Sequence, residues 1–135
     1  MSEERVESIL RGYRLFNEGK LDEAVEGFSD ELEWVTLDLL PDSGTYRGRE
    51  GVRRFWAAWR ETFDDFRIEI TEVHDLDEHV VVMMRVEGTG RDSGVEVGSP
   101  TFPAVWTWRD DEIARMEMFT SEDDASEAIG KDWRG

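Results

Sequence analysis

From His79 to Ser121 the chain carries three extended runs separated by turn chemistry, and this stretch restricts the fold more than any other. His79-Val-Val-Val-Met-Met-Arg-Val-Glu87 is the first run, Thr101-Phe-Pro-Ala-Val-Trp-Thr-Trp-Arg109 closes the second, and Glu112 to Ser121 forms the third. Gly88, Gly90 and Asp92-Ser93-Gly94 break the chain after the first, and Asp110-Asp111 after the second. β-branched and aromatic residues dominate, as strands on a pleated surface prefer. The third run alternates, with Ala114, Met116, Met118 and Thr120 on one side and Ile113, Arg115, Glu117 and Phe119 on the other. A meander of antiparallel strands is expected, and the residues before it must supply its cover.

Those residues read as helices and two further strands. Val6, Ile9, Leu10, Tyr13 and Phe16 recur at helical spacing until Gly19, and Leu21, Ala24, Val25 and Phe28 mark a short second helix over about Leu21 to Phe28. Glu31 to Asp38 reads as a strand with Leu32, Trp34, Thr36 and Asp38 on one face, and Leu39 to Tyr46 as a loop. A third helix follows, with a wide apolar stripe of Val52, Phe55, Trp56, Trp59 and Phe63. Asp64-Asp65 ends it, and Phe66 to Leu76 alternates as a strand. Past the meander, Ser121-Glu-Asp-Asp124 resembles a capping box opening a last short helix, which stops at Gly130 and leaves a tail holding Trp133. This order predicts an α+β fold with helices on one face of an antiparallel sheet.

At 135 residues one domain with a real core is expected, spanning 1–135. No apolar run is long enough for a membrane span, and no charged and apolar leader opens the chain, so neither membrane insertion nor signal-peptide export is expected. The lack of cysteine excludes disulfide and thiolate chemistry and suits a cytoplasmic location. Acidic residues outnumber basic ones 33 to 16, a net charge of −17, and such a surface repels nucleic acid. The basic side is 14 Arg and 2 Lys. A GC-rich genome or a salt-rich cytoplasm accounts for this bias, and recruitment of a basic partner is the alternative. Two His and scattered carboxylates give no ligand spacing, so no metal is expected. No phosphate loop, Ser-His-Asp set or nucleotide fingerprint is present, and no cofactor is expected.

Two N-terminal helices, a strand ending near an acid, Tyr46-Arg-Gly-Arg-Glu50 opening a helix, and the closing run from Asp111 to Ala125 together resemble the SnoaL-like branch of the nuclear-transport-factor-2-like superfamily. The resemblance covers about residues 5 to 130. It implies a curved antiparallel sheet wrapped round the third helix into a cone, a cystatin-like α+β barrel with a pocket at its open end. Ketosteroid-isomerase-like members place a carboxylate base about ten residues before the Arg-Gly step, where Asp38 stands here. Limonene-epoxide-hydrolase-like members carry Arg-x-Asp and a second Asp. Arg85-Val-Glu87 matches the first element with Glu for Asp, but Met118 replaces the second acid, so epoxide opening would lack one of its two carboxyls.

The candidate site follows from these positions. Asp38 on the apolar face of its strand would be desolvated and its pKa raised, as a base at neutral pH requires; otherwise it is a hydrated loop residue. Arg85 and Glu87 share a strand face with Val81 and Met83, which makes them either a structural pair inside the cone or, through Arg85, a complement for a substrate oxyanion. Tyr13 would donate a hydrogen bond into the cavity or serve as a core tyrosine. His74 and His79 flank a turn and read as solvated. The resemblance puts Phe102, Ala104, Trp106 and Trp108 on the pocket face. With Trp34, Thr36, Trp56, Trp59, Phe63, Met83, Met116 and Met118 they would line an adaptable apolar cavity for a small hydrophobic molecule. The expected function is acid–base chemistry (isomerisation, cyclisation or dehydration) with Asp38 as base and Arg85 and Tyr13 steadying an oxyanion. A non-catalytic ligand carrier and a plain dimerisation module are the alternatives. Val80, Val82, Met84 and Val86 alternate away from the cavity residues, which predicts a homodimer through the convex face of the sheet.

Overall fold

Turn residues set the meander, although the first strand runs on through Gly88 and Gly90 and turns only at residues 91–93. β4 (His79–Gly90), β6 (Phe102–Arg109) and β7 (Glu112–Met118) are antiparallel neighbours, and a short β5 (Glu96–Gly98) adds to β4 within the connection. The computed structural model describes residues 2–36 and 44–133. Before the meander come α1 (Ser2–Asn17), α2 (Leu21–Ala24), β1 (Glu33–Val35), β2 (Thr45–Arg47), α3 (Gly48–Thr62) and β3 (Phe63–Asp75), and α4 (Glu122–Ile129) follows it. The sheet order is β2-β1-β7-β6-β4-β3. The fold is α+β with a curved, unclosed sheet. It is not wholly antiparallel, because β1 runs parallel to β7, with Trp34 beside Met116. No described helix is long and apolar enough to cross a membrane.

Local chemistry explains most boundaries. Ser121 caps α4 by accepting from the Asp124 N–H at 3.1 Å, and Gly130 ends it in the left-handed region at φ 89°. Gly48 at the start of α3 has φ +70°, and a β-carbon there would lie 2.6 Å from the Asp30 carbonyl oxygen. Its N–H donates to Leu32 at 2.8 Å, so the Arg-Gly step joins helix and strand where only glycine fits. Three boundaries depart from the sequence reading. α2 is one turn, with Val25 to Gly27 passing into turns. β2 arises inside the expected loop. α3 passes directly into β3, since Phe63 already has extended backbone at φ −125° and ψ 140°.

α1, α2 and α3 cover one face of the sheet and build the main core with Trp34, Val80, Val82, Met84, Phe102, Trp106 and Met116. The opposite face is covered by α4 and Trp133, which pack on Val81, Met83 and Val105. The helices therefore occupy both faces rather than one. Trp133 is no loose tail: it is 3 % exposed, and its ring meets His74 edge-on at 4.9 Å.

The faces of β4 are the reverse of those expected. Val80, Val82 and Met84 lie opposite Trp106, Ala104 and Phe102, and directly opposed residues of antiparallel strands point to the same side. Val80, Val82 and Met84 thus enter the core, while Val81 and Met83 turn outward. The homodimer surface inferred from Val80, Val82, Met84 and Val86 is therefore corrected: the first three are buried inside the chain, and Val86 is partly buried against the same core. The alternation of β7 is also interrupted. Thr107 lies opposite Arg115 but Trp108 opposite Ile113, so β7 carries an extra residue at Ala114, and both Ile113 and Met116 reach the core.

Candidate functional site in the aromatic cone

The inner face of the cone is a connected set of rings. Trp34 from β1 meets Trp56 of α3 edge-on at 5.2 Å and Trp106 of β6 edge-on at 5.6 Å. Trp106 meets Tyr13 of α1 at 90° and 5.9 Å, and Trp59 meets Phe66 at 88° and 4.8 Å. Edge-to-face pairs set the positive rim of one ring against the negative face of the next, a packing worth about 0.5–1.5 kcal/mol each beyond area burial. Met84, Met116 and Met118 complete the wall from β4 and β7.

Three polar groups within this wall are satisfied. The Trp106 indole N–H donates to the Tyr13 hydroxyl at 3.2 Å, and that hydroxyl donates to the Met84 sulfur at 3.8 Å. Burial pushes the Tyr13 pKa above its ordinary 10.0, because the phenolate would lose its hydration, while the Trp106 hydrogen bond opposes the shift only in part. Thr36, at the end of β1, accepts from the Gly44 N–H at 2.9 Å and donates to the Gly44 carbonyl at 3.2 Å. The Thr36 N–H reaches the same carbonyl at 3.1 Å, so residues 36 and 44 are clamped together.

One polar group is not satisfied. Trp34 is 0 % exposed, and its indole N–H has no hydrogen-bond partner among the described residues. A buried donor left in this state costs about 1–3 kcal/mol, so the position favours any molecule that presents an acceptor there.

The structure brings together Tyr13, Trp34, Thr36, Trp56, Trp59, Phe102, Trp106, Met116 and Met118, all buried on the inner side or at its rim. Phe63 joins from the edge, half-buried and stacked on Phe66 at 5.7 Å. Three expected members are not there. Met83 packs outward in the cluster under α4. Arg85 is on the outer face, where its guanidinium binds Glu69 at 2.7 Å with side-chain exposures of 47 % and 48 %. That hydrogen bond raises the Arg85 pKa above its ordinary value. Glu87 is exposed beside a shallow groove with Arg67 and Glu96. The inward Arg85–Glu87 pair is thus corrected to an outward Arg85–Glu69 pair across β3 and β4, for the same reason that inverted the valines. Asp38 lies outside the described residues, two positions along the chain from Thr36.

Sequence reasoning missed Phe28, Phe55 and Met84 as part of this wall. Phe28 meets Trp106 at 5.5 Å and Phe55 meets Trp59 at 5.0 Å. Both were legible as inward helical positions and pack in the core. Among the described residues no group of three or more His, Asp or Glu side chains could hold a metal.

Comparison with known proteins agrees with the fold. No curated protein matches the sequence. Among solved structures, TerC co-crystallised with polyporic acid is 26 % identical, with 93 % of this chain and 98 % of TerC covered at a TM-score of 0.73. An NTF2-like protein from Burkholderia thailandensis is 22 % identical, covering 91 % and 95 % at a TM-score of 0.76. A hypothetical protein with a ketosteroid isomerase-like fold from Catenulispora acidiphila, in complex with trimethylamine, is 14 % identical, covering 96 % of each chain at 0.73. The model of the SnoaL-like domain matches residues 9–116, and the chain belongs to that family.

Proposed function

We propose that the cone binds a small hydrophobic molecule carrying a hydrogen-bond acceptor, and that Trp34 donates to that acceptor. The carrying observation is the buried Trp34 indole N–H, unpartnered among the described residues, within a wall of aromatic and methionine side chains. Rings and thioethers fit flat apolar ligands better than sugars or nucleotides, whose many polar groups would go unpaired. Polyporic acid, co-crystallised with TerC, is the first probe. Saturable binding to the wild-type protein, weakened several-fold in Trp34→Phe with the fold intact, is expected from the loss of one hydrogen bond. Equal binding by both proteins overturns the role of Trp34.

Asp38 is the proposed base of an isomerase-, cyclase- or dehydratase-type reaction on such a ligand. Tyr13 is held un-ionised by burial and Arg85 faces outward, so neither of them can take a proton from a ligand in the cone. Exchange of the acidic C–H hydrogens of 2-tetralone with deuterium, followed by NMR, tests this reading. Catalysed exchange that disappears in Asp38→Asn supports a base. Exchange unchanged in Asp38→Asn removes Asp38 from that role, and no exchange in either protein favours the non-catalytic carrier.

A further inference from the structure

β3 ends the sheet, so the side of this 13-residue strand away from β4 is free of strand partners. Long free edges present rows of main-chain donors and acceptors that can recruit another strand. At one position the molecule fills its own edge. The Asn17 side chain donates to the Ile68 carbonyl at 2.8 Å and accepts from the Ile68 N–H at 2.9 Å. A carboxamide has the donor and acceptor geometry of a peptide group, so Asn17 occupies Ile68 as an added strand would.

Two residues on, Ile70 turns its N–H and C=O to the same side as Ile68, because the direction alternates along a strand. This position opens into a groove of about 420 Å³ between α1 and β3, with Leu10, Tyr13, Ile68 and Ile70 as its apolar surface. Arg14 and Arg67 flank it. Seven other basic residues of this acidic chain are ion-paired, yet neither of these two is in an ion pair among the described residues. The one acid on the groove, Glu18, lies 3.3 Å from the Lys20 ammonium.

We propose that this groove takes an extended peptide that adds to β3 at Ile70, with apolar side chains against Leu10 and Ile70 and a carboxylate between Arg14 and Arg67. An edge strand beside a helix supplies the two elements such recognition uses: main-chain hydrogen bonds for affinity, and a side-chain groove with a cationic end for specificity. The groove borders the cone at Tyr13, but the proposal does not rest on the ligand proposed there.

Displayed hexapeptides with free C-termini, panned on the wild-type protein with Arg14→Gln/Arg67→Gln as counter-target, test it. Both arginines are exposed, so the variant keeps the fold. Peptides rich in apolar and acidic residues are expected, and as synthetic fluorescent peptides they should bind the double variant roughly tenfold or more weakly, the loss of charge-assisted hydrogen bonds. Arg54→Gln/Arg109→Gln, with the same change of net charge elsewhere on the surface, should bind as wild type. Amide exchange at Ile70 should slow when peptide is added. No enriched peptide, equal binding by the two double variants, or protection at β2 or β5 instead of β3 overturns the proposal.

Discussion

The Trp106 indole and the Tyr13 hydroxyl, 3.2 Å apart and both buried, join β6 to α1 through the middle of the cone. Tyr13→Phe leaves the Trp106 N–H without an acceptor in an apolar core. The expected cost is about 1–3 kcal/mol, read by denaturant unfolding. Wild-type stability within error for the variant would show that the indole finds another acceptor.

The same tyrosine sets a pH dependence. Its folded pKa lies above the unfolded value of about 10, so above that pH the unfolded chain loses a proton that the folded chain keeps. The contribution is fully present below pH 10 and is lost as pH rises further. Stability measured from pH 9 upward should therefore fall in the wild type, and Tyr13→Phe should flatten the slope.

Arg85→Ala should leave the melting temperature almost unchanged. The Arg85–Glu69 pair is half exposed, and solvated pairs of this kind contribute little. A large loss of stability would mean that the guanidinium is needed inside the fold.

Trp133 and α4 shield the outer face at Val81, Met83 and Val105. Removing residues 131–135 should expose this strip, lower stability and promote self-association, seen as a mass above the monomer of the truncated chain by light scattering. Trp133→Ala alone should cost about 3 kcal/mol, the lower end for a buried tryptophan. Unchanged stability in both proteins would show that the tail adds nothing to the packing.

Added salt should stabilise the fold. A net charge of −17 makes the compact state repel itself, and raising ionic strength from about 0.1 to 1 M shortens the screening length from about 10 to 3 Å. The melting temperature should climb with sodium chloride across this range, and a flat profile would assign the acidic surface no energetic role.

The sequence by itself determined most of the elements and the family. Turn residues at Asp110-Asp111 and Asp92-Ser93 mark the meander, the stripe from Val52 to Trp59 marks α3, and Ser121 and Gly130 bound α4, because turns, caps and helical periodicity are local properties of the chain. What the tertiary structure alone decided was which side of β4 faces inward. The run Val80 to Met84 is apolar at every position, since both sheet faces are covered, and such a run holds no record of its own orientation. The pairing of Val82 with Ala104 selects one side, and a one-residue change of parity exchanges all of them. That choice carried Arg85 and Glu87 out of the cone and put Met84 beneath Tyr13. In β7 the extra residue at Ala114 brought Ile113 into the core beside Met116, through a register shift that no periodic reading of that strand contains.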